Sequence, residues 1–123
     1  APHASDAKQQ QWSAAAFRMT GLEQAYQVAH KVLVQSGLSD WGRLAEAMSS
    51  APALIGGVSN HGRIEVGQEA NLAFIDPTKS VRVEGNVYSK SANNPYTGME
   101  FASSVVHTMF RGGFSYKDGE VKK

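Results

Sequence analysis

The sequence contains no cysteine, which excludes a disulfide framework, a thiolate metal site and a cysteine nucleophile. It also has no excess of either charge, since twelve Lys and Arg residues and eleven Asp and Glu residues give a formal net charge of +1. The basic residues are scattered, so the charge pattern gives no footprint of a nucleic-acid partner. No apolar run approaches the ~18 residues that a membrane span needs. These absences favour a cytoplasmic globular protein with no nucleic-acid or membrane partner.

The N-terminal end lacks an initiator methionine and a targeting segment. The chain opens Ala1-Pro2-His3, a composition typical of the middle of a loop, so we expect the chain to be part of a longer protein. Residues 1–18 have little apolar periodicity and predict a long loop. A loop of that length in a compact protein is uncommon and tends to be functional.

Two helices are expected next. Thr20 and Glu23 have the spacing of a capping box, in which the Thr hydroxyl and the Glu carboxylate each bond a backbone N–H. Apolar residues at helical spacing follow, and Gly37 is expected to end this helix. Ser39 is expected to cap a second helix, which Pro52 ends. The apolar positions are Leu22, Ala25, Tyr26, Ala29, Val32 and Leu33 in the first helix, and Trp41, Leu44, Ala45 and Met48 in the second.

From Gly62 onward the apolar period falls to two, which predicts short strands and turns. Two helices of this length and a few short strands cannot bury all of their apolar faces against one another. We therefore expect the helices to pack on something absent from this sequence. The predicted strands cover 63–66, 71–75, 81–84, 103–110 and 114–116, with a hairpin turn at 117–120.

Two segments of the second half resemble known family signatures. The first resembles the C-terminal β-domain signature of the amidohydrolase superfamily: GRIEVGQEANL at 62–72, then Asp76-Pro77. It departs at Asn71, where that signature usually has Asp. The second resembles the end of dihydroorotases: SKSANNPYTG at 89–98, then Val-His-Thr at 106–108 and Arg-Gly at 111–112.

The start of the chain resembles the same family. Ala1-Pro2-His3 is similar to the last three residues of Asp-His-Ala-Pro-His, which dihydroorotases carry at the end of the last barrel strand. The family's Ala/Pro-Phe-Gly-x-x-Gly-x-Glu stretch is similar to AFRMTGLE at 16–23, with Arg18 where Gly is usual. The resemblance covers nearly the whole chain and identifies it as the C-terminal portion of a dihydroorotase.

This resemblance implies an α/β fold in two parts. The first is the C-terminal end of a (β/α)8 TIM barrel, consisting of its last loop and two helices, and strands of a small β-sandwich domain follow it. Active sites of such barrels lie on the loops after the strands. The implied division is 1–53 for the last active-site loop and terminal helices, 54–88 for strands of the small β-domain, and 89–123 for the return segment and final strands.

The resemblance also implies an activity. Dihydroorotases reversibly cyclise N-carbamoyl-L-aspartate to (S)-dihydroorotate in de novo pyrimidine biosynthesis. Zinc ions held by histidines and a carboxylated lysine activate a water, and an aspartate transfers the proton. All of these residues would precede Ala1. The implied cofactor is therefore zinc, with no metal ligand and no catalytic residue in this chain, so the chain alone would be inactive.

Four residues are implied to bind the substrate. His3 corresponds to a histidine that helps to hold the substrate carboxylate. Ala16, Phe17 and Arg18 correspond to the stretch whose backbone meets the pyrimidine ring, where N–H and C=O groups can read an amide edge without particular side chains. The alternative interpretations are a solvent-exposed His3 and a packed loop anchored by Phe17. Structural roles are expected for the remaining histidines, which lack metal-site spacing: His30, His61 and His107.

The implied partners are the remainder of the enzyme, its small-molecule substrate and a second subunit in a homodimer. Some dihydroorotase-like subunits also associate with aspartate transcarbamoylase. Two other functions stay open. One is another cyclic amidohydrolase, such as an allantoinase or a dihydropyrimidinase, and the other is a dihydroorotase-like subunit without catalytic activity.

Overall fold

The computed structural model describes residues 5–15, 17, 19–85, 88–89, 91 and 93–122. A one-turn helix, α1 (Ser5–Lys8), interrupts the predicted N-terminal loop. Both predicted longer helices are present, as a first run over 22–35 and a second run over 41–55. The first run consists of a 3-10 turn (Leu22–Gln24), α2 (Ala25–His30) and a π turn (Lys31–Gln35), and the second of α3 (Trp41–Ala45), a π turn (Glu46–Ser50) and α4 (Ala51–Ile55).

The first run does not begin with the predicted capping box, and this prediction is wrong. The Thr20 hydroxyl donates to the carbonyl oxygen of Asn93 at 3.1 Å, and the Glu23 carboxylate accepts from the backbone N–H groups of residues 88 and 89. Gly21 occupies the N-cap position and makes no side-chain cap. The local capping bonds do not form because Thr20 and Glu23 instead bond to backbone groups more than sixty residues away in the sequence.

Three further predictions concern the end of the first run and the two ends of the second run. One is confirmed and two are wrong. Gly37 follows the first run, as predicted, with a left-handed φ of 76°. The second run is capped by Asp40 rather than by Ser39, since the Asp40 carboxylate accepts from the Arg43 N–H at 2.8 Å. Pro52 does not end the run but lies in the first turn of α4, directly after the π turn. Proline is tolerated there because a first-turn amide needs no partner inside the helix.

Within the described residues, six strands form two antiparallel sheets. Their bounds are β1 (Leu72–Asp76), β2 (Val81–Arg82), β3 (Glu100–Phe101), β4 (Ser104–Phe110), β5 (Gly113–Lys117) and β6 (Glu120–Val121). The larger sheet has the order β1-β4-β5-β6, and β2 pairs with β3 in the smaller one. The strands predicted at 71–75, 103–110 and 114–116 are confirmed, whereas the one predicted at 81–84 is reduced to two residues.

Two tight turns close the hairpins of the larger sheet. Arg111 and Gly112 have φ values of 51° and 82°, and Asp118 and Gly119 have φ values of 54° and 88°. Two successive left-handed residues form the mirror-image turn whose twist matches that of the flanking strands. The predicted hairpin at 117–120 is confirmed.

The strand predicted at 63–66 is not formed, and this prediction is wrong. Residues 61–71 are turns and irregular backbone, and the alternating side chains Ile64 and Val66 are almost fully exposed. An alternating pattern becomes a strand only where a neighbouring strand takes up its backbone hydrogen bonds. Among the described strands, none pairs with this segment.

The interior is small for a chain of this size. Its solvent-accessible surface is 8879 Å², whereas a compact monomer of this mass exposes about 6,400 Å². Leu44, Val83 and Phe101 are the buried apolar side chains among the described residues. Large apolar side chains are exposed on both helical runs, notably Leu22, Val32, Trp41, Met48, Leu54 and Ile55.

In the part of the chain that the structure describes, none of the helices has the length and apolarity needed to cross a bilayer.

The isolated 123-residue chain is expected to be a molten or aggregating species rather than a cooperatively folded domain. Its exposed apolar faces exceed what a stable monomer leaves in water. Differential scanning calorimetry and the binding of a hydrophobic dye measure this directly. A sharp unfolding transition of a monomer that binds no dye would contradict the expectation.

Candidate functional site

A set of hydrogen bonds joins residues 20–30 to residues 88–103, and we call it the polar seam. At its N-terminal end, the backbone N–H and the hydroxyl of Thr20 both donate to the carbonyl oxygen of Asn93, at 2.9 and 3.1 Å. Thr20 therefore ends the N-terminal loop at a fixed point on the return segment.

The middle of the polar seam consists of two neighbouring side chains on the first run. One carboxylate oxygen of Glu23 accepts from the backbone N–H groups of Tyr88 and Ser89 at 3.1 and 2.8 Å. The side-chain amide of Asn94 donates to the amide oxygen of Gln24 at 2.9 Å, and both side chains are buried. Hydrogen bonds to a charged acceptor are among the stronger ones in proteins, so Glu23 ties the start of the return segment to the helix.

The far end of the polar seam is a chain of three hydroxyl and imidazole groups. The Tyr26 hydroxyl and the Ser103 hydroxyl lie 2.9 Å apart, and the Ser103 hydroxyl lies 2.9 Å from Nδ1 of His30. The Trp41 ring packs on the His30 ring with centroids 4.6 Å apart. Burial raises the pKa of Tyr26, which the bond to Ser103 partly offsets, and burial lowers the pKa of His30. Both shifts favour the neutral forms.

The loop that the polar seam holds presents apolar side chains to solvent. Trp12, Phe17 and Met19 are 88%, 73% and 62% exposed. The alternative interpretation is a packed loop anchored by Phe17. Within this chain the Phe17 side chain does not pack in that way. Exposed aromatic and apolar side chains of this kind can cover a ligand or contact another part of a protein.

Most of the predicted substrate-binding residues lie outside the described residues. These are His3, Ala16 and Arg18. Phe17 is described, and its role in substrate binding stays a prediction. The residues that sequence reasoning missed are those that fix the loop. Thr20 and Glu23 had a visible signal, since both belong to the quoted motif at 16–23, but the capping-box interpretation gave them a purely local role.

The described residues do not form a metal centre. No group of three or more His, Cys, Asp or Glu side chains among them could hold an ion. His61 donates from Nδ1 to the Ser59 carbonyl oxygen at 2.7 Å and accepts at Nε2 from the Asn71 side-chain amide at 2.8 Å. His107 packs between the rings of Phe74 and Phe114. The donor set of this part of the chain therefore does not fit zinc.

Asn71 bridges the irregular segment 61–71 and the turn after β4. Its amide oxygen accepts from the Arg111 N–H at 2.8 Å, and its amide nitrogen lies 2.8 Å from Nε2 of His61. The same nitrogen donates to the Glu69 carboxylate at 3.4 Å. An aspartate here could still accept from Arg111, but it would place a second carboxylate beside Glu69. The departure from the usual Asp therefore fits this local environment.

A cleft of about 750 Å³ lies between the second run and the β1–β4 face of the larger sheet. Trp41, Met48, Leu72 and Met109 contribute to its largely apolar lining. It contains none of the loop residues before Gly21. The cleft continues the exposed apolar surface of the helices, and its polar rim includes Glu46, Arg63 and the pair His61–Glu69, whose side chains lie 3.6 Å apart.

Comparison with known proteins gives the following matches. No family model matches the chain. It is 40% identical over 123 residues to a dihydroorotase of Streptomyces coelicolor and 42% identical over 114 residues to a dihydroorotase of Mycobacterium leprae. The alignments cover 98% and 91% of this chain but only 29% and 26% of the two relatives. The chain thus spans less than a third of the length of the curated relatives it matches.

Solved structures with a similar fold include hydantoinases. A D-hydantoinase superposes with a TM-score of 0.86 over 96% of this chain and 26% of its own, at 19% identity. That likeness shows the fold alone. An L-hydantoinase (dihydropyrimidinase) from Arthrobacter aurescens superposes with a TM-score of 0.78 over 90% of this chain and 25% of its own, at 29% identity. These matches confirm the expected α/β fold class, and the strands form antiparallel sheets.

His30 is expected to make the stability of the full-length protein depend on pH. Because burial lowers its pKa below the ordinary value of about 6.5, the unfolded chain binds the proton more readily. The free energy of unfolding is therefore highest above about pH 6.5 and falls as the pH drops through that value toward the folded-state pKa. His30→Asn keeps an acceptor for the Ser103 hydroxyl without this titration. Urea unfolding at about pH 8 and about pH 5.5 should show a larger loss in the wild type, and equal losses would contradict the assignment.

Asn71→Asp is expected to lower the free energy of unfolding of the full-length protein by about 1 kcal/mol, a magnitude typical of partly exposed charge pairs. The cause is repulsion between the new carboxylate and Glu69. A double-mutant cycle with Glu69→Gln measures the coupling. The cost of Asn71→Asp should shrink in the Glu69→Gln background, and an identical cost in both backgrounds would show that Glu69 is not involved.

Proposed function

We propose, from the premise that this chain is a relative of the dihydroorotases, that the intact protein is an enzyme that reversibly cyclises N-carbamoyl-L-aspartate to (S)-dihydroorotate. The observation that carries the proposal is 40% identity to a dihydroorotase along 98% of this chain. The hydantoinase-like fold supports the broader class of cyclic amide hydrolases.

The polar seam supports the same proposal. The motif at 16–23 and the motif at 89–98 both resemble dihydroorotase segments, and they lie about seventy residues apart in the sequence. In the structure, Thr20 bonds Asn93 and Glu23 bonds Ser89. The two segments thus meet through their own polar groups, as expected if they belong to one functional unit.

Within that unit, the N-terminal loop is proposed to cover the substrate. His3 would donate a hydrogen bond to the substrate carboxylate. Ala16, Phe17 and Arg18 would present backbone N–H and C=O groups to the ring, while the exposed Phe17 side chain would exclude water from it.

Zinc and the proton-transferring aspartate are proposed to lie in a part of the protein outside this chain, because the described residues offer no zinc centre. This chain would contribute the last active-site loop of a (β/α)8 barrel, its terminal helices and strands of a small β-domain. The apolar helix faces that are exposed here would pack on the remaining barrel. The isolated chain should accordingly be inactive.

A second candidate is a hydantoinase or dihydropyrimidinase activity. It is favoured by the 29% identity to the L-hydantoinase (dihydropyrimidinase) over 90% of this chain. The dihydroorotase proposal ranks first because its relatives are more similar in sequence. Both candidates open or close a cyclic amide, so they differ in substrate rather than in chemistry.

The full-length protein, loaded with zinc, should turn over dihydroorotate with a kcat/KM on the order of 100-fold above those for allantoin, hydantoin and dihydrouracil. A site built to bond the substrate carboxylate discriminates strongly against rings that lack it. Absorbance assays on the four purified substrates measure this preference. An enzyme that hydrolyses dihydrouracil or hydantoin but leaves dihydroorotate intact would refute the first proposal and support the second.

A further inference from the structure

The N-terminal loop has one firmly held end among the described residues. Two donors of Thr20 converge on a single backbone carbonyl, that of Asn93, at 2.9 and 3.1 Å. Phe17 lies only three residues before this junction. The loop is otherwise well exposed at Trp12, Phe17 and Met19, so the position of its C-terminal part depends strongly on this contact.

The residue after this carbonyl, Asn94, opens a turn. The side-chain oxygen of Asn94 accepts from the Tyr96 N–H at 2.9 Å, and the backbone oxygen of Asn94 accepts from the Thr97 hydroxyl at 3.0 Å. The Asn94 side chain also donates to buried Gln24. Asn94, which directly follows the acceptor, is thus held both by the turn and by Gln24, and a movement of the return segment would be transmitted to Thr20.

We propose that Thr20 is a positioning residue, which sets the place of the substrate-side loop by docking it on the turn at residues 93–97. The inference rests on the proposed function for the identity of the loop's ligand. It assigns to the return segment an indirect part in substrate binding, through its hold on Thr20.

The predicted consequence is a change in substrate affinity rather than in chemistry. Loop groups that contact substrate equally in the ground state and the transition state affect KM and leave kcat unchanged. A loss of stability alone would instead lower the amount of active enzyme, and thus apparent kcat, at an unaltered KM. The two roles therefore give different kinetic patterns.

The experiment compares three variants of the full-length enzyme. Thr20→Val removes the hydroxyl donor and keeps the shape, while Thr20→Ser keeps the hydroxyl. Thr78→Val is the matched control, since the Thr78 hydroxyl donates at 2.7 Å to Asp76 in the turn after β1. Thr20→Val should raise KM for dihydroorotate about tenfold with kcat within about twofold, because small misplacements of binding groups are costly. Thr20→Ser and Thr78→Val should keep the wild-type KM.

Limited digestion with chymotrypsin gives a readout that needs no substrate. Cleavage after Trp12 or Phe17, followed by mass spectrometry, should be several-fold faster in Thr20→Val than in the wild type and in Thr78→Val. If Thr20→Val does not fold, Gln24→Met loosens the same turn through its bond to Asn94 and should give the same pattern.

The outcomes separate the two proposals. Unchanged KM and unchanged cleavage in Thr20→Val would overturn the positioning role. A wild-type enzyme that does not turn over dihydroorotate would refute the proposed function alone. In that case faster cleavage of Thr20→Val, and a raised KM for whichever cyclic amide is hydrolysed, would still support the positioning role.

Discussion

The pairing of buried polar groups across the polar seam is the constraint on which the rest of the structure depends. A buried donor or acceptor without a partner costs about 1–3 kcal/mol, so these groups must find one another. The bonds from Glu23 and Tyr26 span 65 to 77 positions in the sequence. The first run and the return segment therefore hold each other in place through these bonds.

Among the described residues, the buried set includes more polar than apolar side chains, which is unusual for a small domain. Gln24, His30, Asn94 and Ser103 are buried, while many large apolar side chains of the helical runs face water. Hydrogen bonds are directional, so the polar seam specifies one arrangement of its elements, but it supplies little of the burial that stabilises a fold. A chain built in this way fits a larger protein that covers its apolar faces.

The polar seam also connects the candidate site to the β-rich half of the chain. Thr20 and Glu23 follow the loop proposed to cover the substrate, and their partners lie on the return segment. Sequence motifs located the loop and the return segment separately. Their contact was hidden, because Thr20 and Glu23 also satisfy the pattern of a local helix cap, and the sequence cannot rank a local partner against a distant one.

The features that short-range backbone geometry controls were predictable from the amino-acid pattern alone. Gly37 follows the first run, and the left-handed pair Asp118-Gly119 closes a hairpin, because few residues tolerate those backbone angles. The strands at 72–76 and 104–110 also followed from their apolar patterns. Only the tertiary structure decided which patterned segments found a partner. Residues 63–66 alternate like a strand but have no neighbour to pair with among the described strands, and Pro52 continues a helix because a π turn precedes it. Hydrogen-bond partners and burial are set by residues far apart in the chain, and no local pattern specifies them.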